Sequence, residues 1–226
     1  MHLVVSGEGP NDIGQEYGEF KAGTMYFIID KIIEKILDYS YYTYKKDMIT
    51  FIDETKLSEL SENKKNIKIP LTGKNTKKET AYFIYNAIAL AKKADEIARD
   101  KNDDVIAILF RDSDGTRKDI RYVWKDKFNS IKKGFAIANF QNGVAMVPNP
   151  KSEAWLLCAL KKDKPYQNCE KLENRSGNDK SDKALKKELT IPYDKINDMI
   201  QYGEIDIDKI IMPSFQVFRD RLESLL

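Results

Sequence analysis

An α/β fold, a mostly parallel sheet of about four strands flanked by helices with a C-terminal helical extension, is predicted by three observations. Short β-branched runs alternate with longer amphipathic stretches along the chain, the pattern of strands joined by crossover helices. One run, Val105-Ile106-Ala107-Ile108-Leu109-Phe110, is apolar without a break, as suits a strand covered on both faces. Acidic residues follow three of these runs closely (Glu8, then Asp112 and Asp114, then Glu153), and α/β sheets bind ligands beyond the carboxyl ends of their strands.

The elements follow in order. Residues 2–6 form a first strand that runs into the glycine-rich GEGPNDIG. Residues 25–39 space Phe27, Ile28, Ile32, Ile33, Ile36 and Leu37 as one face of a helix. Residues 48–53 read as a second strand. The polar, lysine-rich stretch that follows reads as a long loop with a short strand at 67–71. Residues 80–99 are alanine-rich with charges outside, an amphipathic helix. After the third strand at 105–110, residues 120–133 look helical, and residues 144–147 form a fourth strand. Pro148-Asn149-Pro150 ends it, with Pro150 suited to the first turn of the next helix, SEAWLLCAL. Trp155 continues into Leu156 and Leu157 and reads as core. Beyond Lys161 the chain turns polar through ENRSGNDKSDKALKKEL, then helical. The expected organisation is an α/β domain over 1–160, with an insertion at about 55–80, and a helical extension over 161–226 packed on it.

With 226 residues, 42% hydrophobic and 33% charged, the chain can bury a sizeable core beneath a charged surface. Formal net charge is only +2, so contact with nucleic acid calls for a local patch rather than the whole surface. One histidine, His2, excludes sites built from several imidazoles. Cys158 and Cys169 match no metal spacing, and Cys158 lies in an apolar run, which reads as a buried thiol in a reducing compartment. Residues 3–5 are too short for a signal-peptide core and no run approaches a membrane span, so a cytoplasmic location is expected.

Two acids at the end of a buried strand repel one another unless a positive charge lies between them. If residues 112–114 stay extended, Asp112 and Asp114 point to one side and can share an ion. Hard divalent cations take oxygen ligands, commonly one or two carboxylates plus water and phosphate. Asp-Ser-Asp-Gly is also ordinary turn chemistry. In the glycine-rich segment, Glu8 and Asp12 are four apart and meet if a helical turn begins there; equally, Asn11 or Asp12 caps the next helix. Gly7, Gly9 and Gly14 allow close backbone approach to a phosphate without completing a phosphate-loop motif. Glu153 falls in a helix's first turn, where the macrodipole alone favours an acid.

Together, VVSGEGPND and ILFRDSDG resemble the TOPRIM family of topoisomerases, primases and nucleases, with their glutamate after the first strand and Asp-x-Asp after a later one. Asp12 matches the acid that TOPRIM nucleases of the overcoming-lysogenisation-defect type carry four residues after the glutamate. PNPKSEAWLL, with Glu153 and Trp155, is similar to a segment of small stand-alone TOPRIM-like proteins. The resemblance covers roughly residues 1–160. It implies a Rossmann-like fold and a nuclease activity dependent on Mg²⁺ or Mn²⁺. Glu8, Asp112 and Asp114 would be its catalytic residues, and Glu8, Asp12, Asp112, Asp114 and Glu153 its metal ligands. Nucleic acid, DNA before RNA, would be the substrate, held by Lys151 or by lysines of the 180–187 segment. No membrane contact is implied. A partner ATPase or defence-system protein, and a role in phage defence, accompany the resemblance.

DSDGT is also similar to the first motif of haloacid-dehalogenase-type phosphatases, which would make Asp112 a nucleophile and Asp114 an acid/base. That motif usually opens its domain, whereas here 111 residues precede it, and Glu8 would have no role. A non-catalytic TOPRIM-like interaction module is the third reading.

Overall fold

The computed structural model describes residues 1–62, 77–113, 120–161 and 168–226. Asp114 and the strand expected at 67–71 lie outside them.

The chain enters on β1 (His2–Gly7), makes one helical turn over Gly9–Ile13, and folds back through a hairpin of β2 (Gly14–Tyr17) and β3 (Glu19–Ala22). α1 (Thr24–Leu37) and the short α2 (Tyr41–Tyr44) lead to β4 (Ile49–Asp53). α3 (Glu54–Glu62) and α4 (Lys77–Lys101) precede β5 (Val105–Phe110), and α5 (Ile120–Ile137) joins it to β6 (Gly143–Met146). The C-terminal part is helical: α6 (Ser152–Ala159), α7 (Leu185–Glu188), α8 (Tyr193–Gln201) and α9 (Pro213–Glu223). The fold is therefore α/β, with a four-stranded, all-parallel sheet flanked by helices.

Strand order is β4-β1-β5-β6. β1 and β5 are buried along their whole length, which explains their continuous apolar sequence. Alternation splits their side chains between two cores. Leu3, Val5, Ile106, Ile108 and Phe110 pack with α1, α6, α8 and α9, while Val4, Ala107 and Leu109 pack with α4 and α5. The first of these cores runs without interruption from the sheet into the C-terminal helices. Trp155 is fully buried there, its ring stacked on Phe218 with centroids 5.8 Å apart and its Nε1 donating to Ser214 Oγ at 2.9 Å.

Three local features differ from the expectations. The β2–β3 hairpin was not foreseen, because its strands are only four residues each and the alternation in EFKA is too short to stand out. Of β3 only Phe20 and Ala22 are buried, and Phe20 stacks on Phe51 of β4 at 5.3 Å. Pro150 lies before the helix rather than in its first turn, since Lys151 is the residue preceding α6. Cys158 and Cys169 form a disulfide, Cα–Cα 5.4 Å, instead of standing as thiols. Both are wholly buried, and their meeting depends on how the segment after α6 packs back on it. Among the described residues, no helix is long and apolar enough to cross a membrane.

Candidate functional site

From β1 the chain crosses to β4 on one side, and later enters β5 on the other. The crossovers diverge between β1 and β5, which opens a crevice at the carboxyl ends of these strands, the usual ligand position in such sheets. Glu8 directly follows β1 and Asp112 follows β5 with one residue between. The candidate site stands at this crevice.

Glu8 Oε1 accepts a hydrogen bond from the Asp112 backbone N–H at 2.8 Å, across 104 positions of sequence. The Asp112 carboxylate in turn accepts from the Ser152 backbone N–H at 2.8 Å through Oδ1. Ser152 is the first residue of α6, whose leading N–H groups have no partner within the helix. Lys151, the residue before it, provides no side-chain cap, so Asp112 meets that need from the neighbouring strand. Ser152 Oγ donates to Asp12 Oδ1 at 2.8 Å. Asp12 reaches this point because the helical turn over Gly9–Ile13 brings it back. Gly9 starts the turn with φ 78°, and a Cβ there would lie 2.8 Å from Asp12 Oδ2. The helix capped after the turn is α1, and the residue preceding it is Gly23, not Asn11 or Asp12.

Glu153, one residue on in α6, is 4% exposed. The Tyr193 hydroxyl donates to its Oε1 at 3.0 Å, and Lys151 Nζ stands 3.9 Å from its Oε2. Lys151 also pairs with Asp179 Oδ1 at 2.9 Å. It is nearly buried, so its charge serves the acids around it rather than projecting into solvent. The lysines at 180, 183, 186 and 187, by contrast, are exposed.

Three carboxylates, Asp12, Asp112 and Glu153, thus contact one serine, and Glu8 joins them through the Asp112 backbone. Burial, reinforced by the charges of Glu153 and Glu8, raises the Asp12 pKa from its ordinary 3.8 to about 6 against the pull of the Ser152 hydroxyl and Lys151. Burial and the charges of Glu153, Asp12 and Asp112 push the Tyr193 phenol far above its ordinary value, so it stays a proton donor. Excess negative charge of this kind suits a cation. Among the described residues, no group of three or more His, Cys, Asp or Glu side chains is arranged to hold a metal ion, and Asp114 lies outside them. A cavity of about 350 Å³ is lined by Gly7, Gly9, Gly14, Glu16, Phe51 and Asp53, and none of the four acids lines it.

No family model, curated protein or solved structure matches this chain.

Of the residues singled out in the sequence, Glu8, Asp12, Asp112 and Glu153 come together. Ser152, Asp179 and Tyr193 were not foreseen. Ser152 adjoins a selected acid and was within reach of the same reasoning, whereas Asp179 and Tyr193 belong to the extension and carry no motif. Arg111 turns away from the acids, to the opposite face of the sheet, as alternation requires. It is 1% exposed, lies 6.0 Å from the centroid of the Tyr82 ring, and donates from Nη1 to the Phe110 carbonyl at 2.8 Å.

Proposed function

We propose that this chain is a TOPRIM-like nuclease that hydrolyses phosphodiester bonds of nucleic acid, DNA before RNA, with a divalent cation, Mg²⁺ or Mn²⁺. One observation carries the reading. Glu8 and Asp112, 104 positions apart, meet through a 2.8 Å hydrogen bond at the crevice between the two central strands. Asp12 and Glu153 join them around Ser152.

By chemical type the donors suit a hard cation, although the described acids alone are not arranged as a metal-holding group. Every acid supplies carboxylate oxygen, the class that Mg²⁺ and Mn²⁺ prefer. Glu8, Asp12, Asp112, Asp114 and Glu153 would hold the ion. When bound, it would supply Lewis-acid charge at the scissile phosphate. Glu8 would take the proton of the attacking water as its oxygen bonds to phosphorus and the ester P–O bond breaks. Asp112 and Asp114 would position the phosphate through the ion. The exposed lysines of the 180–187 segment adjoin Asp179, itself bonded to Lys151, and would attract the polynucleotide backbone by charge. The chemistry belongs to the cytoplasm in this reading. A partner ATPase or other defence-system protein would supply any control that needs nucleotide.

Plasmid nicking in Mn²⁺, compared with the Asp112→Asn variant, tests the proposal. The amide oxygen can still accept from Ser152, so the fold should survive while nicking falls by about 10²-fold or more. Undiminished nicking by the variant would remove Asp112 from the mechanism. Hydrolysis of an aryl phosphate without nicking would favour the haloacid-dehalogenase-type reading. No metal response of any kind would favour a non-catalytic module.

A further inference from the structure

On the face of the sheet turned away from the acids, the carboxyl ends of β1 and β5 bury polar side chains that lack partners. Ser6 pairs in register with Leu109, and alternation places its side chain with Val4, Leu109 and Arg111 on the α4 side. Asn86 stands on α4 one turn beyond Tyr82, whose ring faces Arg111 at 6.0 Å. Ser6, Asn86 and Arg111 are each at most 1% exposed. Among the described residues, Ser6 Oγ, both ends of the Asn86 amide, and Arg111 Nε and Nη2 have no hydrogen-bond partner. The Asn86 amide comes near the Tyr82 hydroxyl without a well-directed bond, and that hydroxyl donates to Glu54 Oε1 at 2.6 Å.

Buried polar groups are almost always bonded, and a guanidinium keeps its charge at any ordinary pH. The free atoms of Arg111 form a pattern. Nη1 is held by the Phe110 carbonyl at 2.8 Å, while Nε and Nη2 are left over. Those two N–H groups lie along one edge of the guanidinium and point the same way, the fork that takes two oxygens of one oxoanion. A carboxylate has no oxygen beyond those two. A phosphate group has more, and the Ser6 hydroxyl and Asn86 amide N–H are donors suited to them. Open space comes to the edge of the group, because the cavity of about 350 Å³ has in its wall Gly7, which follows Ser6, and Glu54, which holds Tyr82. An internal phosphodiester carries chain on both sides and does not suit so enclosed a place, whereas a free or terminal phosphate does.

We propose that Arg111, Asn86 and Ser6 form a phosphate-binding site, one that takes the free anion or the terminal phosphate of a larger molecule. It lies across the sheet from the acids and needs no metal ion, so it stands or falls independently of the nuclease reading.

Thermal unfolding of the full chain in EDTA tests it, in sodium phosphate against sodium chloride of equal ionic strength. About 20 mM phosphate should raise the melting temperature of the parent by about 4 °C or more. Arg111→Met keeps the buried stem and removes the charge, so in chloride it should melt no lower than the parent, and phosphate should not shift it. Ser6→Ala, a change too small to threaten folding, should show a smaller shift than the parent. A short oligonucleotide with a 5′-phosphate, set against its 5′-hydroxyl form, identifies the source. A shift from the phosphorylated form alone marks a polynucleotide end, and a shift from inorganic phosphate alone marks the free anion. A parent that responds to neither phosphate would overturn the proposal. So would a response undiminished in Arg111→Met and Ser6→Ala, which would place the anion elsewhere, and neither result bears on nicking in Mn²⁺.

Discussion

At the scale of residues, the centre of the molecule is a relay of short polar contacts among groups that repel. Glu8, Asp112, Ser152 and Asp12 are linked by successive 2.8 Å hydrogen bonds, each spending a donor on a carboxylate. The weakest point is Asp12, which burial and neighbouring charge hold partly protonated near pH 6. A carboxyl whose folded pKa lies above its unfolded value keeps its proton longer in the folded state. It therefore favours folding below about pH 4 and loses that contribution as pH rises through about 6. In EDTA, the stability of the parent should decline across this window by an amount on the order of 2 kcal/mol. Asp12→Asn, which keeps an acceptor for Ser152, should flatten the decline and be the more stable form above pH 6. Urea titrations at pH 4.5 and 7.5 decide it, and equal slopes for both chains would refute the account. Glu8, Asp112 and Glu153 were readable in the sequence because each follows an apolar run closely, and Asp12 because it stands four residues after Glu8. Tyr193 was not, since an aromatic residue opening a polar helix has no pattern that distinguishes it from packing.

At the scale of elements, what separates the strands is how fully they are covered. β5 was placed at its observed bounds because all six residues are buried and apolar. The hairpin of β2 and β3 was missed because each strand is only four residues long, and the alternation of β3, with Phe20 and Ala22 buried between exposed Glu19 and Lys21, spans too few positions to stand out. Helices α4 and α5 pack closely at Gly134, where an added Cβ would lie 2.5 Å from the Ile84 carbonyl oxygen. Two effects oppose each other in Gly134→Ala. Helix propensity gains up to about 1 kcal/mol, while overpacking against backbone costs about 1–3 kcal/mol. The obstructing atom is backbone and cannot rotate away, so the clash wins. The variant should lose about 1–2 kcal/mol in urea unfolding, and a more stable variant would show that the two helices can part freely.

At the scale of the whole molecule, the sheet and the C-terminal helices share one core. Trp155 of α6 packs edge-on against Phe215 at 5.1 Å and stacks on Phe218, both from α9. α9 also reaches back to the sheet, where Arg221 Nε donates to the Gly143 carbonyl at 3.2 Å. A chain ending at residue 160 would leave Trp155 and the adjoining face of α1 without cover. It should lack the cooperative thermal transition of the full chain in circular dichroism, and a sharp transition in the fragment would show that the first 160 residues fold alone. The disulfide lies across the same boundary, between α6 and the segment that begins the extension.

The sequence by itself determined the fold class, the central strands and the acids at their ends. These depend on burial and period, and both are properties of neighbouring residues. Only the tertiary structure decided which acids meet, that a serine joins them, and that a tyrosine 40 positions beyond Glu153 completes the group. Those contacts join segments remote in the chain. They are set by strand order and by the packing of the extension, and the spacing of residues along one segment carries no record of either.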